Sequence, residues 1–123
     1  MFKYKYDDLF NPLLTVMHKL GGSATVEEIE QGVIKLLSLK ESEISEIHRG
    51  TRTKLEYRLA WARTYLKKYG IMQNSEHGVW VLTPKGKRIK GVDKTEVKKI
   101  VLSFTDNLFN RYLVIKITLN CQK

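Results

Sequence analysis

The sequence of 123 residues contains a single cysteine, Cys121, third from its end. One thiol closes no intrachain disulfide and builds no cysteine metal cage, so the fold has to rest on its apolar core, in keeping with a reducing compartment. No apolar run approaches the ~18 residues of a membrane span, and Met1 to Asp8 lacks the apolar stretch and small-residue cleavage site of a secretory signal. A cytoplasmic protein without membrane association is the expectation. Also missing are a Ser-His-Asp or Cys-His arrangement, a phosphate-cradling glycine loop and a dinucleotide fingerprint. His18 and His48 have no cysteine or carboxylate pattern around them, and neither a metal nor a cofactor is expected.

What is present is an ordinary core-forming composition, 42% hydrophobic and 28% charged, which fits one soluble domain with an autonomous core. The formal net charge is +9. It is unevenly placed: residues 1–47 hold 5 basic and 8 acidic side chains, residues 48–99 hold 14 and 4, and residues 100–123 hold 3 and 1. A net +10 confined to 52 residues suits a patch for a polyanion better than it suits general solubility.

Asn11-Pro12 reads as an N-cap with proline at the first helical position. Leu13, Val16, Met17 and Leu20 then repeat at helical spacing until Gly21-Gly22 stops the helix. Ser23-Ala24 fits a very short strand. Thr25 with Glu28 forms a capping box for a second helix whose face is Val26, Ile29, Val33, Leu36 and Leu37, with Gly32 inside it as a site of close approach. Residues 40–47 fit a short acidic helical turn that leads into a loop, His48-Arg49-Gly50. A third helix from about Thr51 to Tyr69 places Leu55, Leu59, Ala62 and Leu66 on one stripe, with Trp61, Tyr65 and Tyr69 widening it and Gly70 closing it. Ile71-Met72-Gln73 and Val79-Trp80-Val81-Leu82, separated by a turn at 74–78, form a hairpin, and Thr83-Pro84 caps a basic turn from Lys85 to Lys90.

Helix, short strand, helix, helix, hairpin is the order of a winged helix. The fold class is therefore α+β, mainly helical: a winged helix-turn-helix with a C-terminal helix and a strand-like tail. In such a fold the third helix enters the major groove of double-stranded DNA, while the hairpin lies against phosphates or the minor groove. Arg49, Arg52, Lys54, Arg63, Lys67, Lys85, Lys87 and Arg88 are the candidate phosphate contacts, with His77 at the hairpin tip, and Thr53, Glu56 and Tyr57 are best placed near base edges. Trp61, Tyr65 and Trp80 are expected in the core between third helix and hairpin. For Arg58, a structural ion pair and a phosphate contact stand equal.

The stretch Arg58-Leu59-Ala60-Trp61-Ala62-Arg63-Thr64-Tyr65-Leu66-Lys67-Lys68-Tyr69-Gly70, followed by Gly78-Val79-Trp80-Val81-Leu82-Thr83-Pro84-Lys85-Gly86, resembles the N-terminal domain of Mrr-type restriction endonucleases, enzymes that attack foreign, modified DNA. The resemblance covers roughly residues 4–91. It implies a winged-helix DNA-binding module that precedes a separate nuclease domain. Glu96-Val97-Lys98, the one Glu-x-Lys triplet, falls at the start of a helix rather than on a strand, so a nuclease centre is not expected and a separate nuclease subunit is a candidate partner.

The winged-helix domain is assigned to 1–91, and 92–123 to a helix plus an apolar strand tail. Asp93 and Glu96 cap a helix with Val97, Ile100, Val101, Phe104 and Leu108 on one face, and Tyr112 to Leu119 is a strand candidate that must be paired or covered. A homodimer through 97–119 and a truncated remnant of a longer enzyme both explain these residues. Three functions follow: a non-catalytic DNA-binding module of a restriction system, a protein-interaction or assembly domain, and a small transcriptional regulator.

Overall fold

The computed structural model describes residues 2–103. A 3-10 turn at Tyr6–Leu9 runs directly into α1, Phe10–Lys19. Asn11 therefore lies inside the helix and is not its N-cap. Its side chain instead brackets the backbone of Val92, Nδ2 donating to the carbonyl at 2.9 Å and Oδ1 accepting from the N–H at 2.7 Å. β1 (Ser23–Thr25) leads into α2 (Val26–Leu37), whose capping box is formed by Thr25 and Glu28 as expected. Ile29 and Val33 are buried, whereas Leu36 lies exposed, off the buried face.

The loop expected at 48–50 is ordered. After the short helix α3 (Glu41–Ile44), β2 (Ile47–Arg49) and β3 (Arg52–Thr53) pair antiparallel around Gly50, and α4 begins at Lys54 and runs to Tyr69. A helix-turn-helix ordinarily joins its helices by three or four residues, and here a basic hairpin occupies that place. Gly70, at φ +100°, ends α4 with N–H bonds to the Leu66 and Lys67 carbonyls, the left-handed cap that glycine alone adopts without strain.

β4 (Met72–Glu76) and β5 (Val79–Leu82) form the wing. The strand continues through residues expected in the turn because Asn74 Nδ2 donates to the Glu76 and Val79 carbonyls at 2.9 and 2.6 Å, bridging an irregularity in the ladder. The turn shrinks to His77-Gly78. β1 adds to β5 with Ala24 opposite Trp80, which gives a three-stranded sheet in the order β1-β5-β4. α5 (Pro84–Arg88) is capped by Thr83, and α6 occupies 94–103 with Asp93 Oδ1 accepting from the Thr95 N–H. The result is an α+β, mainly helical, winged-helix-like arrangement.

One apolar core joins these elements: Phe10, Leu13, Leu14 and Met17 of α1, Ile29 and Val33 of α2, Leu55, Leu59, Ala62 and Leu66 of α4, and Ile71, Met72 and Leu82 at the sheet. Val97 and Val101 of α6, beyond the boundary at 91/92 read from the sequence, enter the same core, while Ile100 is exposed. Phe104, Leu108, the 112–119 strand and most of the dimer segment lie outside the described residues.

Gly32 is where α1 and α2 meet. A Cβ there would stand 2.5 Å from Val16 Cγ1 and 3.2 Å from Cγ2, and Val16 is itself buried. Gly32→Ala should cost about 2 kcal/mol of stability despite its gain in helix propensity. The Val16→Ala change placed in the Gly32→Ala background should return part of that loss in a urea titration, whereas two additive losses would place the strain elsewhere.

Candidate nucleic-acid interface

The candidate residues fall into four places. Arg49, Arg52, Thr53, Lys54, Glu56 and Tyr57 cluster where the β2–β3 hairpin meets the start of α4. Arg63 and Lys67 follow along the helix. His77 sits at the wing tip, whose Gly78 carbonyl accepts from the Val26 N–H, so the tip is tied to the start of α2. Lys85, Lys87 and Arg88 lie on α5 at the wing's base, with the Lys85 ammonium 4.7 Å above the Tyr69 ring at the far end of α4. The groups at 49–57 and 85–88 thus flank opposite ends of one 16-residue helix, roughly 24 Å long.

Not every charge here faces solvent unpaired. Lys54 is ion-paired with Glu46, which also accepts from the Phe2 N–H. Arg63 is half-buried under α2, its guanidinium 5.6 Å over the Trp80 ring, in a cleft of about 380 Å³ shared with Arg52, Glu27, Glu30 and Glu56. Burial, and then the like charge of Arg52, hold the Arg63 guanidinium below the usual arginine range, with Glu30 acting in the opposite direction. Burial also pushes the Glu30 carboxyl up, with Glu56 adding to the effect and Arg63 opposing it. Three acids around the half-buried Arg63 make that arginine part of a structural junction more than a phosphate seat, whereas Arg52, which also lines the cleft, is exposed. The ion pair expected for Arg58 is not among the salt bridges of the described residues; its Nη1 instead donates to the Tyr4 carbonyl at 2.7 Å, holding the N-terminal segment on α4.

Two of the three candidate base readers are committed to the helix itself. Thr53 Oγ1 accepts from the Glu56 N–H at 3.1 Å, and Glu56 Oε1 accepts from the Thr53 N–H at 3.0 Å. This is a second capping box, spelled Thr-x-x-Glu like the one at 25–28, and that spacing was the signal available in the sequence. Tyr57 lies under the His48 ring at 3.8 Å and 15°, with the Arg52 guanidinium 5.5 Å from its centroid.

Trp61 is not a core residue. It is 44% exposed, whereas Tyr65 packs on Tyr6 and Phe10. Trp61 lies farther than Tyr65 from the centre of the Leu55-Leu59-Ala62-Leu66 stripe on the helical projection, and Tyr6 and Phe10 cover Tyr65. Trp80 is half-buried on the sheet, as expected for wing packing.

Arg49, Arg52, Lys67, Lys85, Lys87 and Arg88 remain, all exposed and none with an ion pair among the described residues. Glu96-Val97-Lys98 lies within α6, with Val97 buried and Lys98 paired to Asp7 at 2.8 Å, and the described residues hold no group of three metal-ligating side chains. None of the helices among the described residues is long and apolar enough to cross a membrane.

Compared with known families, residues 6–91 match the family model described as Mrr N-terminal domain. No curated protein and no solved structure matches the chain.

Proposed function

Because the chain belongs to the Mrr N-terminal domain family, we propose that it is a non-catalytic module that binds double-stranded DNA for a restriction system acting on foreign, modified DNA. Cleavage belongs to a separate nuclease domain or subunit. α4 enters the major groove, and cations at its two ends hold phosphates on either side, since the helix is about twice as long as the ~12 Å groove is wide.

The observation that carries this reading is the fate of the +10 segment. It folds into the β2–β3 hairpin, α4, the wing, α5 and the start of α6, and nine of its fourteen arginines and lysines stay exposed with no ion pair among the described residues, six of them among the candidate contacts. A merely solvated surface does not require its cations to collect along one helix and its flanks. Tyr57 is the candidate closest to a base edge, now that Thr53 and Glu56 serve the helix cap.

Fluorescence anisotropy on labelled duplexes tests the proposal. Lys67→Glu should weaken binding by about tenfold, and equally for unrelated sequences, because a phosphate contact carries no sequence information. A wild-type protein that leaves duplex DNA unbound at low salt overturns the reading, as does a Lys67→Glu variant that binds unchanged.

A further inference from the structure

A tryptophan left in water on a monomeric domain forgoes one of the largest burial gains a side chain offers, so its surroundings indicate what it faces. Trp61 is 44% exposed on α4, one turn beyond Tyr57. Both line an open cleft of about 410 Å³ whose other walls are Arg52, Ala60, Thr64 and Lys68. Ala60 keeps its floor shallow. The Thr64 hydroxyl is spent on the Ala60 carbonyl at 3.0 Å and asks for no ligand bond. No carboxylate is among the six lining residues, and a cation stands at each end, Arg52 on β3 of the hairpin and Lys68 in the last turn of the helix.

Flat aromatic faces between two cations, without an acid, suit a ligand that is planar and carries negative charge on either side of the plane. The site already stacks rings in this way: His48 lies on Tyr57 at 3.8 Å and 15°. A nucleotide within a duplex does not fit, because both faces of its base are covered by neighbouring pairs. An unpaired nucleotide fits, its base on Trp61 and its flanking phosphates on Arg52 and Lys68.

We propose that the Tyr57–Trp61 cleft binds an unpaired base in otherwise duplex DNA, by stacking on Trp61. The proposal rests on the duplex-binding reading and deepens it: the module favours DNA that is gapped or has lost a pairing partner. Base stacking on an aromatic side chain is sequence-tolerant, so the preference is for the unpaired state and not for a particular base.

The test compares a paired duplex with the same duplex carrying a short single-stranded gap, at one salt concentration, by anisotropy. The gapped DNA should bind about tenfold more tightly to the wild-type protein. Trp61→Ala should abolish that preference while leaving paired-duplex affinity within about twofold, and Trp61→Phe, which keeps a ring, should retain most of it. Equal affinity of the wild type for both DNAs, with duplex binding intact, overturns this inference alone. Failure to bind either DNA overturns the duplex reading with it. If sedimentation shows a dimer that Trp61→Ala dissociates, the face is a contact between copies and the stacking proposal falls.

Discussion

Raising the salt from about 50 to about 200 mM should weaken binding to paired duplex DNA by roughly a thousandfold. Each phosphate neutralised releases close to one condensed counterion, so the log–log slope is about −0.9 per contact. Arg49, Arg52, Lys67, Lys85, Lys87 and Arg88 are exposed and carry no ion pair among the described residues. With six such cations engaged the slope is about −5, and a fourfold rise in salt then removes about three orders of magnitude. Lys54 and Arg63 are left out of the sum for physical reasons: one is held by Glu46, the other lies half-buried among Glu27, Glu30 and Glu56. The two ends of α4 separate in the same measurement. Reversing Lys85, Lys87 and Arg88 together should bring the slope to about −3 if the wing's base touches DNA, whereas an unchanged slope confines the footprint to the hairpin and α4. Affinity indifferent to salt would remove phosphate contact from the account altogether.

The segment that bears this charge was legible in the sequence, because charge, helical periodicity and turn chemistry there agree with one another. Thr25 with Glu28, the stripe Leu55-Leu59-Ala62-Leu66, Gly70 after Tyr69 and Thr83-Pro84 each have one dominant local reading, and each is realised. What stayed hidden depended on contacts far along the chain. Trp61 and Tyr65 both widen the apolar stripe on the helical projection, and it is the long-range placement of Tyr6 and Phe10 against Tyr65 that covers one and leaves the other exposed. Asn11-Pro12 is a good helix start by local rules, yet the 3-10 turn before it and the partner at Val92, 81 residues away, override them. The β2–β3 hairpin is two and three residues per strand around a glycine, too short for alternation to register. At the site, Thr53 and Glu56 fall on the outer arc of the helix, which is what points them toward DNA, and they also form its capping box. That box is local, and its Thr-x-x-Glu spacing is legible in the sequence.

Gly86→Ala should cost the fold about 3 kcal/mol or more, the largest loss expected from any single methyl in the described chain. Gly86 lies in the first turn of α5 and is buried. A Cβ built there would stand 2.1 Å from the Ile71 carbonyl oxygen and 3.0 Å from its carbon. That oxygen is backbone and already accepts from the Thr83 N–H at 3.0 Å, while Thr83 Oγ1 accepts from the Gly86 N–H and donates to the Gly70 carbonyl at 2.7 Å. Two bonds therefore stitch the turn to the end of α4, while the Gly86 N–H bond to Thr83 holds the turn itself, in a space that excludes a methyl group. Relief would require α5 to lift from the Ile71 segment, breaking those bonds and uncovering Ile71, which is buried in the core. Alanine's better helix propensity, about 1 kcal/mol, does not offset this. For a domain of this size the thermal midpoint should fall by about 12 °C or more, followed by circular dichroism. Gly70→Ala provides the contrast. Its Cβ meets nothing within 4 Å, so the penalty is only the left-handed backbone, about 1 kcal/mol. If the two variants melt together, the close approach of α5 to Ile71 is not what holds the wing's base in place.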